Sequence, residues 1–457
     1  MRKVFMIAYY FPPIAATGAM RPLNFCRHLP AYGWMPSVLA TDQPSALPPQ
    51  ASDADLLQRV PAEIEVIRVQ HGNPLGRLLG YRDWLKRMLN RKASAISSQA
   101  ARASNAGSSY GADRWESVFV TARRFVFDAW LSFPDPQSRW YQPAVRAMVG
   151  RSAAKRPDVI LATGGPWTSL LVGKRLAQQW EVPFVADFRD PWVGSHELFS
   201  STLLHRRAAR LEWSVCEAAS RVILNTEELR VRFCEQYPQW QTKFVVITNG
   251  YPQEMALHPA IDDASANPPS VLEFSHFGTV YGHRSPLALF QAVHALMSEG
   301  ALDHTRLTLR FVGVWDVDDL TCNQLAKSLE ERGVLQRVPP IPHQACLKEM
   351  AKSDVLLILQ PDYPLQVPAK IYEYMTAGRP LFVLGGEGAT ANLVHRHRLG
   401  RCCPNRMSEA KRTLMELMND RTSLTPPSPA DTEQFNYAVL SKRLADLLDN
   451  TVQGKIR

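Results

Sequence analysis

Apolar and polar positions alternate along this chain in blocks of two periods. Residues 4–10 are a continuous apolar run of strand length. Residues 19–31 then place Leu23, Phe25, Cys26 and Leu29 at helical spacing. Gly33 stops that helix, and residues 35–40 return to a strand-like run. The set recurs as strand 159–162, turn 163–166, helix 168–180, strand 183–188, helix 203–220 and strand 221–225. A third array follows, with strands at 271–277, 307–314, 354–360 and 380–384 and helices at 286–297 and 321–332. Strands alternating with helices in this way predict parallel sheets covered on both faces.

Two stretches break the rhythm. Residues 258–270 carry Pro259, Pro268 and Pro269 with no periodic apolar face and read as a linker. The division expected is an N-terminal domain over 1–257, a linker over 258–270, a second domain over 271–430 and a terminal segment over 431–457. Residues 433–448 form an amphipathic helix with Phe435, Val439, Leu440, Leu444, Leu447 and Leu448 near one face. The other break is 73–140, where Arg77, Arg82, Lys86, Arg87, Arg91 and Lys92 accompany Trp84 and several leucines, before a Ser/Ala-rich stretch over 93–109. It reads as a basic amphipathic helix for a membrane surface, or as a solvated helix covering the sheet.

Composition narrows the class. The chain has 457 residues, 46% of them hydrophobic and 21% charged, so it can bury two cores. No run has the roughly 18–20 apolar residues that span a bilayer. Residues 1–11 imitate a signal peptide, but Pro12-Pro13 cut the run and the first-strand reading is preferred. Seven scattered cysteines without a Cys-x-x-Cys pair fit buried thiols in a reducing compartment. A net charge of +9 favours anionic partners, and with no nucleic-acid module visible these are phosphorylated donors and anionic lipid.

In parallel α/β sheets ligands bind beyond the carboxyl ends of the strands, so those loops hold the candidate chemistry. After the first strand, residues 11–22 offer small residues, Gly18 and a helix start suited to a phosphate. After strand 271–277 comes a glycine-rich loop with Gly278, Thr279 and Arg284, whose guanidinium suits a diphosphate and its leaving-group charge. Gly313 ends the next strand. Residues 367–380 form a short helix between Pro368 and Gly378, with Val367, Ala369, Lys370 and Glu373 in or before its first turn, and Glu373 placed to accept from a ribose diol. Arg284 and Lys370 are the candidate catalytic cations. Residues 385–388, Gly-Gly-Glu-Gly, make another backbone cradle. Asp187, Arg189 and Asp190 follow a first-domain strand and suit acceptor hydroxyls, or a structural ion pair. Trp167, in the 163–167 turn, reads as an acceptor wall. Asp316, Asp318 and Asp319 imitate a metal-binding Asp-x-Asp, but their place before a helix reads as helix-start charge. His276, His283, His395 and His397 have no ligand spacing, and no metal site is expected.

Taken in order, residues 8–22, 163–169, 186–192, 278–286 and 368–380 resemble the retaining glycosyltransferases of family 4. That resemblance implies a GT-B fold, two facing Rossmann-like doubly wound domains with a terminal helix crossing back to the first. It implies donor binding by Gly18, Gly278, Thr279, Arg284, Gly313, Val367, Ala369 and Glu373, with no metal and no separate cofactor. The sequence departs from the family at three places: Thr279 replaces the first of two cations, Leu365 replaces the first of two glutamates, and Ala15-Ala16 replace paired glycines. The activity implied is transfer of a sugar from a nucleoside diphosphate to an acceptor hydroxyl with retained configuration. The acceptor expected is a lipid-linked glycan, met by a peripheral enzyme at the cytoplasmic face of a membrane. A nucleotide-sugar 2-epimerase and a non-catalytic sugar-binding subunit are the alternatives.

Overall fold

Strand β1 (Arg2–Ile7) shows why the chain folds in layers. Val4 and Met6 face one apolar cluster and Phe5 and Ile7 face another, because successive side chains of a strand point to opposite faces. Both faces must therefore be covered, and that is how the sequence is built. The computed structural model describes residues 1–42, 52–72, 133–150, 156–193, 202–255, 271–282, 284–360, 363–421 and 424–454.

The first domain is built on β1, β2 (Trp34–Thr41), β3 (Glu65–Val69), β4 (Val159–Thr163), β5 (Phe184–Phe188), β6 (Arg221–Leu224) and β7 (Phe244–Val246). They form one parallel sheet in the order β3-β2-β1-β4-β5-β6-β7. Around it lie α1 (Thr17–His28), α2 (Ala54–Gln58), α3 (Tyr141–Val149), α4 (Thr168–Trp180), α5 (Thr202–Ala218) and α6 (Glu227–Gln236). The order reverses between β1 and β4, so the loops leaving those two strands open a crevice at one end of the sheet.

The second domain repeats the plan. Its sheet has the order β12-β10-β8-β13-β14-β15 and is parallel throughout. The strands are β8 (Leu272–Phe277), β10 (Leu307–Val312), β12 (Leu335–Val338), β13 (Val355–Gln360), β14 (Leu381–Gly385) and β15 (Gly400–Cys403); β9 (Val280–Tyr281) and β11 (Trp315–Asp316) pair separately. The helices are α7 (Leu287–Ser298), α8 (Leu320–Glu331), α9 (His343–Lys352), α10 (Lys370–Thr376), α11 (Ala389–Arg396) and α12 (Met407–Asn419). The order reverses between β8 and β13, which sets Gly278 and Arg284 beside the chain that enters α10. Asp319 caps α8 by accepting from the Cys322 amide at 2.9 Å, as its place before a helix suggests.

After α13 (Pro429–Thr432), the chain returns to the first domain in α14 (Tyr437–Gln453). Tyr437, Leu440, Leu444, Leu447 and Leu448 join the apolar cluster under β1 and β2. The crossing is a two-way splice: the Tyr251 amide donates to Phe435 O and the Tyr437 amide donates to Tyr251 O, both at 3.0 Å. A β-carbon on Gly250 would lie 2.1 Å from the Phe435 carbonyl oxygen, so only glycine lets the outgoing and returning strands of chain touch.

The Asn436 side chain caps α14 by accepting from the Ala438 amide at 2.9 Å. Replacing Asn436 by alanine is expected to cost about 1 kcal/mol, the usual value of such a cap. Urea unfolding followed by the first-domain tryptophans reads that loss, and an unchanged midpoint would detach the helix from first-domain stability.

No helix among the described residues is long and apolar enough to cross a membrane. The basic segment over 74–92, with Arg123, Arg124, Phe125, Phe127 and Trp130, and the linker over 258–270 lie outside the described residues.

Candidate active site

The two crevices face each other across a cavity of about 270 Å³. From the first domain it is lined by Tyr10, Gly18, Arg21, Arg189 and Asp190; from the second by Arg284, Gln360, Gln366, Val367, Ala369 and Glu373. Five expected donor or catalytic residues thus meet at one place: Gly18, Arg284, Val367, Ala369 and Glu373.

On the first-domain side one local break in α1 organises three loops. Pro22 sits inside the helix and has no N–H for the carbonyl of Gly18 four residues earlier. That carbonyl accepts instead from Arg189 Nη1 at 2.7 Å. The same guanidinium donates to Gly164 O at 2.6 Å and to Gly165 O, so it ties the loops after β1, β4 and β5 together. Arg189 therefore shapes the cavity wall, with its donors committed to backbone. Asp190 beside it reaches water through the cleft but is hemmed in by protein. That enclosure raises its carboxyl pKa, opposed by Arg189 and by Arg284 across the gap.

Two acceptor expectations are corrected by packing. Asp187 is 1% exposed, and both its oxygens are taken by Arg21, at 2.9 Å from Nε and 2.9 Å from Nη2. It is the structural ion pair, not an acceptor contact. Trp167 is 5% exposed and stacks on Trp192 with ring centroids 5.3 Å apart, deep in the first-domain core. Its indole cannot reach an acceptor in the cavity.

On the second-domain side, Arg284 has no ion-pair partner among the described residues. Arg284 lies over the Tyr281 ring, 5.6 Å from its centroid, and faces the cavity. Lys370 stands behind it, outside the cavity wall. Its ammonium donates to Phe277 O at 3.0 Å and approaches His276 Nε2 at 3.2 Å. His276 Nδ1 is 2.9 Å from Leu357 O, which assigns the proton to Nδ1 and leaves Nε2 to accept from the lysine. Burial, and then Lys370, hold the imidazole neutral. Burial, and then Arg284, lower Lys370 to about 8. A β-carbon on Gly278 would stand 3.1 Å from Lys370 Nζ, so this glycine leaves the ammonium uncovered.

Thr279 and Gly313 also stand outside the wall. Thr279 is exposed, and Gly313, at φ 146°, lets β10 end against Gly278, whose carbonyl oxygen a β-carbon would meet at 2.3 Å. Of residues 385–388, Gly388 packs on Pro364 and Gly385 on the backbone of Gln360, and none of the four lines the cavity. Leu365, where the resemblance places a glutamate, packs on the first-domain core, and its carbonyl accepts from Thr226 Oγ1 at 2.9 Å.

Gln360 was not singled out by the sequence. It is 4% exposed, lines the cavity, and neither its amide oxygen nor its nitrogen has a hydrogen-bond partner among the described residues. Buried amides are almost always satisfied, so one left open beside a cavity marks a ligand contact. Its signal was present: a lone polar residue closes the apolar strand Val-Leu-Leu-Ile-Leu-Gln. Glu373 lies 3.6 Å from His343 Nε2, and that carboxylate raises the imidazole pKa.

Glu212 is buried with no bonded cation among the described residues, accepting from the Val193 amide at 3.0 Å and the Tyr237 hydroxyl at 2.8 Å. Burial raises its carboxyl to about 7 against an ordinary 4.5. A folded-state value above the unfolded one means that its contribution to stability is full below about 4.5 and is lost as pH rises through about 7. The Glu212→Gln variant is therefore expected to lose less stability than the parent between pH 5 and 8, read from melting temperatures at each pH. Parallel curves would place the titration elsewhere.

Residues 100–250 match the model of the glycosyl transferase 4-like domain. No curated protein matches the chain. Among solved structures it is similar to Anabaena HepE in complex with UDP and glucose, at 15% identity and a TM-score of 0.59, over 98% of this chain and 100% of that one. It is also similar to the sucrose-phosphate synthase of Thermosynechococcus elongatus, at 15% identity and 0.54, over 100% and 98% of the two chains. S. aureus MnaA bound to UDP matches at 12% identity and 0.51, over 99% and 97%. The fold is thus the GT-B arrangement of two facing parallel α/β domains, and its first domain carries a glycosyl transferase match.

Proposed function

We propose that the protein is a glycosyltransferase that moves a sugar from a nucleoside diphosphate to an acceptor hydroxyl in the cleft between its two domains. The observation that carries this reading is the convergence on one cavity of Arg284, Glu373 and the unpartnered Gln360, opposite Asp190. Arg284 would hold the diphosphate and take up leaving-group charge, with Lys370 adding positive potential from behind. Glu373 would accept from the ribose diol. Gln360, with both donor and acceptor atoms open, would read the sugar or the phosphate, and the backbone of Val367 and Ala369 lines the same wall. The relatives crystallised with UDP support a nucleotide donor.

On the other side, Asp190 is the remaining acceptor contact. In the retaining course that the resemblance implies, the bond from the anomeric carbon to the diphosphate oxygen breaks as the acceptor oxygen bonds on the same face. The acceptor proton passes to the departing diphosphate, so no protein base and no metal is required. The acceptor we favour is a lipid-linked glycan met at the cytoplasmic face of a membrane, because of the basic, Trp-bearing sequence over 74–92.

A 2-epimerase would need a histidine in the cleft, and the cavity wall holds none among the described residues. A non-catalytic binding subunit is favoured by Thr279 and by Leu365, which removes one donor-facing carboxylate. The protein incubated with a nucleotide-sugar panel and a lipid-linked glycan extract separates the two. Sugar incorporated into the acceptor with release of nucleoside diphosphate supports the transferase; donor binding with neither product supports the subunit.

A further inference from the structure

A second cavity of about 200 Å³ opens at the domain junction and shares only Val367 with the first. Its walls come from the loops after β6 and β7, from α10 and α11 of the second domain, and from the returning segment with α14. Nothing in the donor reading uses it.

Three features give it a chemistry. Its floor includes the Tyr372 hydroxyl, on a side chain that is 0% exposed; this hydroxyl interacts with that of neighbouring Thr248, and among the described residues neither has a further hydrogen-bond partner. A hydroxyl has one donor and two acceptor positions, so a pair held only by each other keeps capacity for a ligand or water. Two arginines, Arg396 and Arg443, stand on its wall, and neither has an ion-pair partner among the described residues. Of the carboxylates on the same wall, Glu227 pairs with Arg230, whereas Glu228 accepts from the neutral Asn392 amide at 2.7 Å and keeps its charge, which acts on Tyr372. His397, 3.1 Å from Gln434 through Nδ1, is held toward the neutral form by burial and by Arg396.

We propose that this junction cavity is a second, oxyanion-binding site for a phosphate or a small phosphate monoester, held by Arg396 and Arg443 with the Tyr372 and Thr248 hydroxyls. Guanidinium pairs favour phosphate because each offers directed N–H donors with its charge. The cavity is smaller than the donor cavity, at about 200 Å³ against about 270 Å³. Arg396 belongs to the second domain, whereas Arg443 rides on the helix packed against the first sheet. An anion between them links the domains, and Tyr372 directly precedes Glu373 of the donor cavity. Occupancy therefore biases domain orientation, and any cleft ligand that prefers the same orientation must raise the affinity for the anion by the same factor.

The test is calorimetric titration of the full-length protein with inorganic phosphate and, separately, with a hexose 6-phosphate. The proteins compared are the parent, the double variant Arg396→Ala/Arg443→Ala, Tyr372→Phe and Arg284→Ala. The double variant replaces exposed side chains and is expected to weaken phosphate binding more than about tenfold, which is 1.4 kcal/mol, while UDP measured without phosphate keeps its affinity. Tyr372→Phe keeps the ring and is expected to lose several-fold, and Arg284→Ala to bind phosphate as the parent does. Tighter binding of the monoester assigns the cavity to a metabolite, and equal binding assigns it to the free ion. Phosphate binding that survives in the double variant, or that disappears only with Arg284, places the anion in the donor cleft and overturns the proposal, as does no binding to the parent.

Discussion

Replacing Arg21 by leucine is expected to cost the first domain about 3–5 kcal/mol, the scale for breaking one side of a buried ion pair. Arg21 and Asp187 each have 2% of their side chain exposed. Loss of the guanidinium would leave the Asp187 carboxylate charged and dry, and would free the Ile247 carbonyl, which accepts from Nη2 at 2.9 Å, together with that of Thr248. The bridge joins α1, the end of β5 and the chain after β7, so the damage spreads along the whole cleft edge. Denaturant unfolding should show the loss, and an Arg21→Met/Asp187→Leu double variant should recover much of it, since no unpaired charge remains. A loss below about 1 kcal/mol for Arg21→Leu would mean that water reaches the pair and that its burial is overstated.

The second large effect is on turnover. Arg284→Ala is expected to lower kcat at least about a hundredfold, the scale for removing one preorganised charge stabiliser, while the melting temperature stays close to the parent value. The side chain rests on Tyr281 and makes no ion pair among the described residues, so little of the fold depends on it. Arg284→Lys should recover only part of the rate, because an ammonium cannot grip a diphosphate with two parallel donors. Unchanged turnover in Arg284→Ala would remove this residue from the reacting end of the cleft.

The layered fold was legible because strands buried on both faces carry continuous apolar runs, as in residues 355–359, and because Gly33 and Gly378 end their helices where the pattern ends. Weak elements were missed. Glu65–Val69 and Leu335–Val338 are edge strands whose apolar runs are broken by Glu65 and Arg68 and by Gln336 and Arg337, and the sequence pattern assigned no element there. Within the site, Arg284 and Glu373 were readable from their places after a strand and beside a helix start. The choice for Asp187 between acceptor contact and ion pair stayed open and the burial of Trp167 was not visible, since their partners Arg21 and Trp192 come from another helix and from beyond the next helix and strand. The sequence of α1 hid its most useful feature in the same way. Pro22 looks like a flaw in a helix until the freed Gly18 carbonyl is seen to hold Arg189.

The central claim is that a nucleoside diphosphate binds between Arg284, Gln360 and Glu373. Thermal unfolding of the parent, Gln360→Ala and Glu373→Gln with a panel of nucleoside diphosphates tests it most directly. A ligand at ~100 times its dissociation constant should stabilise the parent by about 2.7 kcal/mol. At least one member of the panel is expected to do so, and both variants are expected to respond at the same ligand concentration by clearly less. No response to any nucleoside diphosphate, or equal responses from all three proteins, would contradict it.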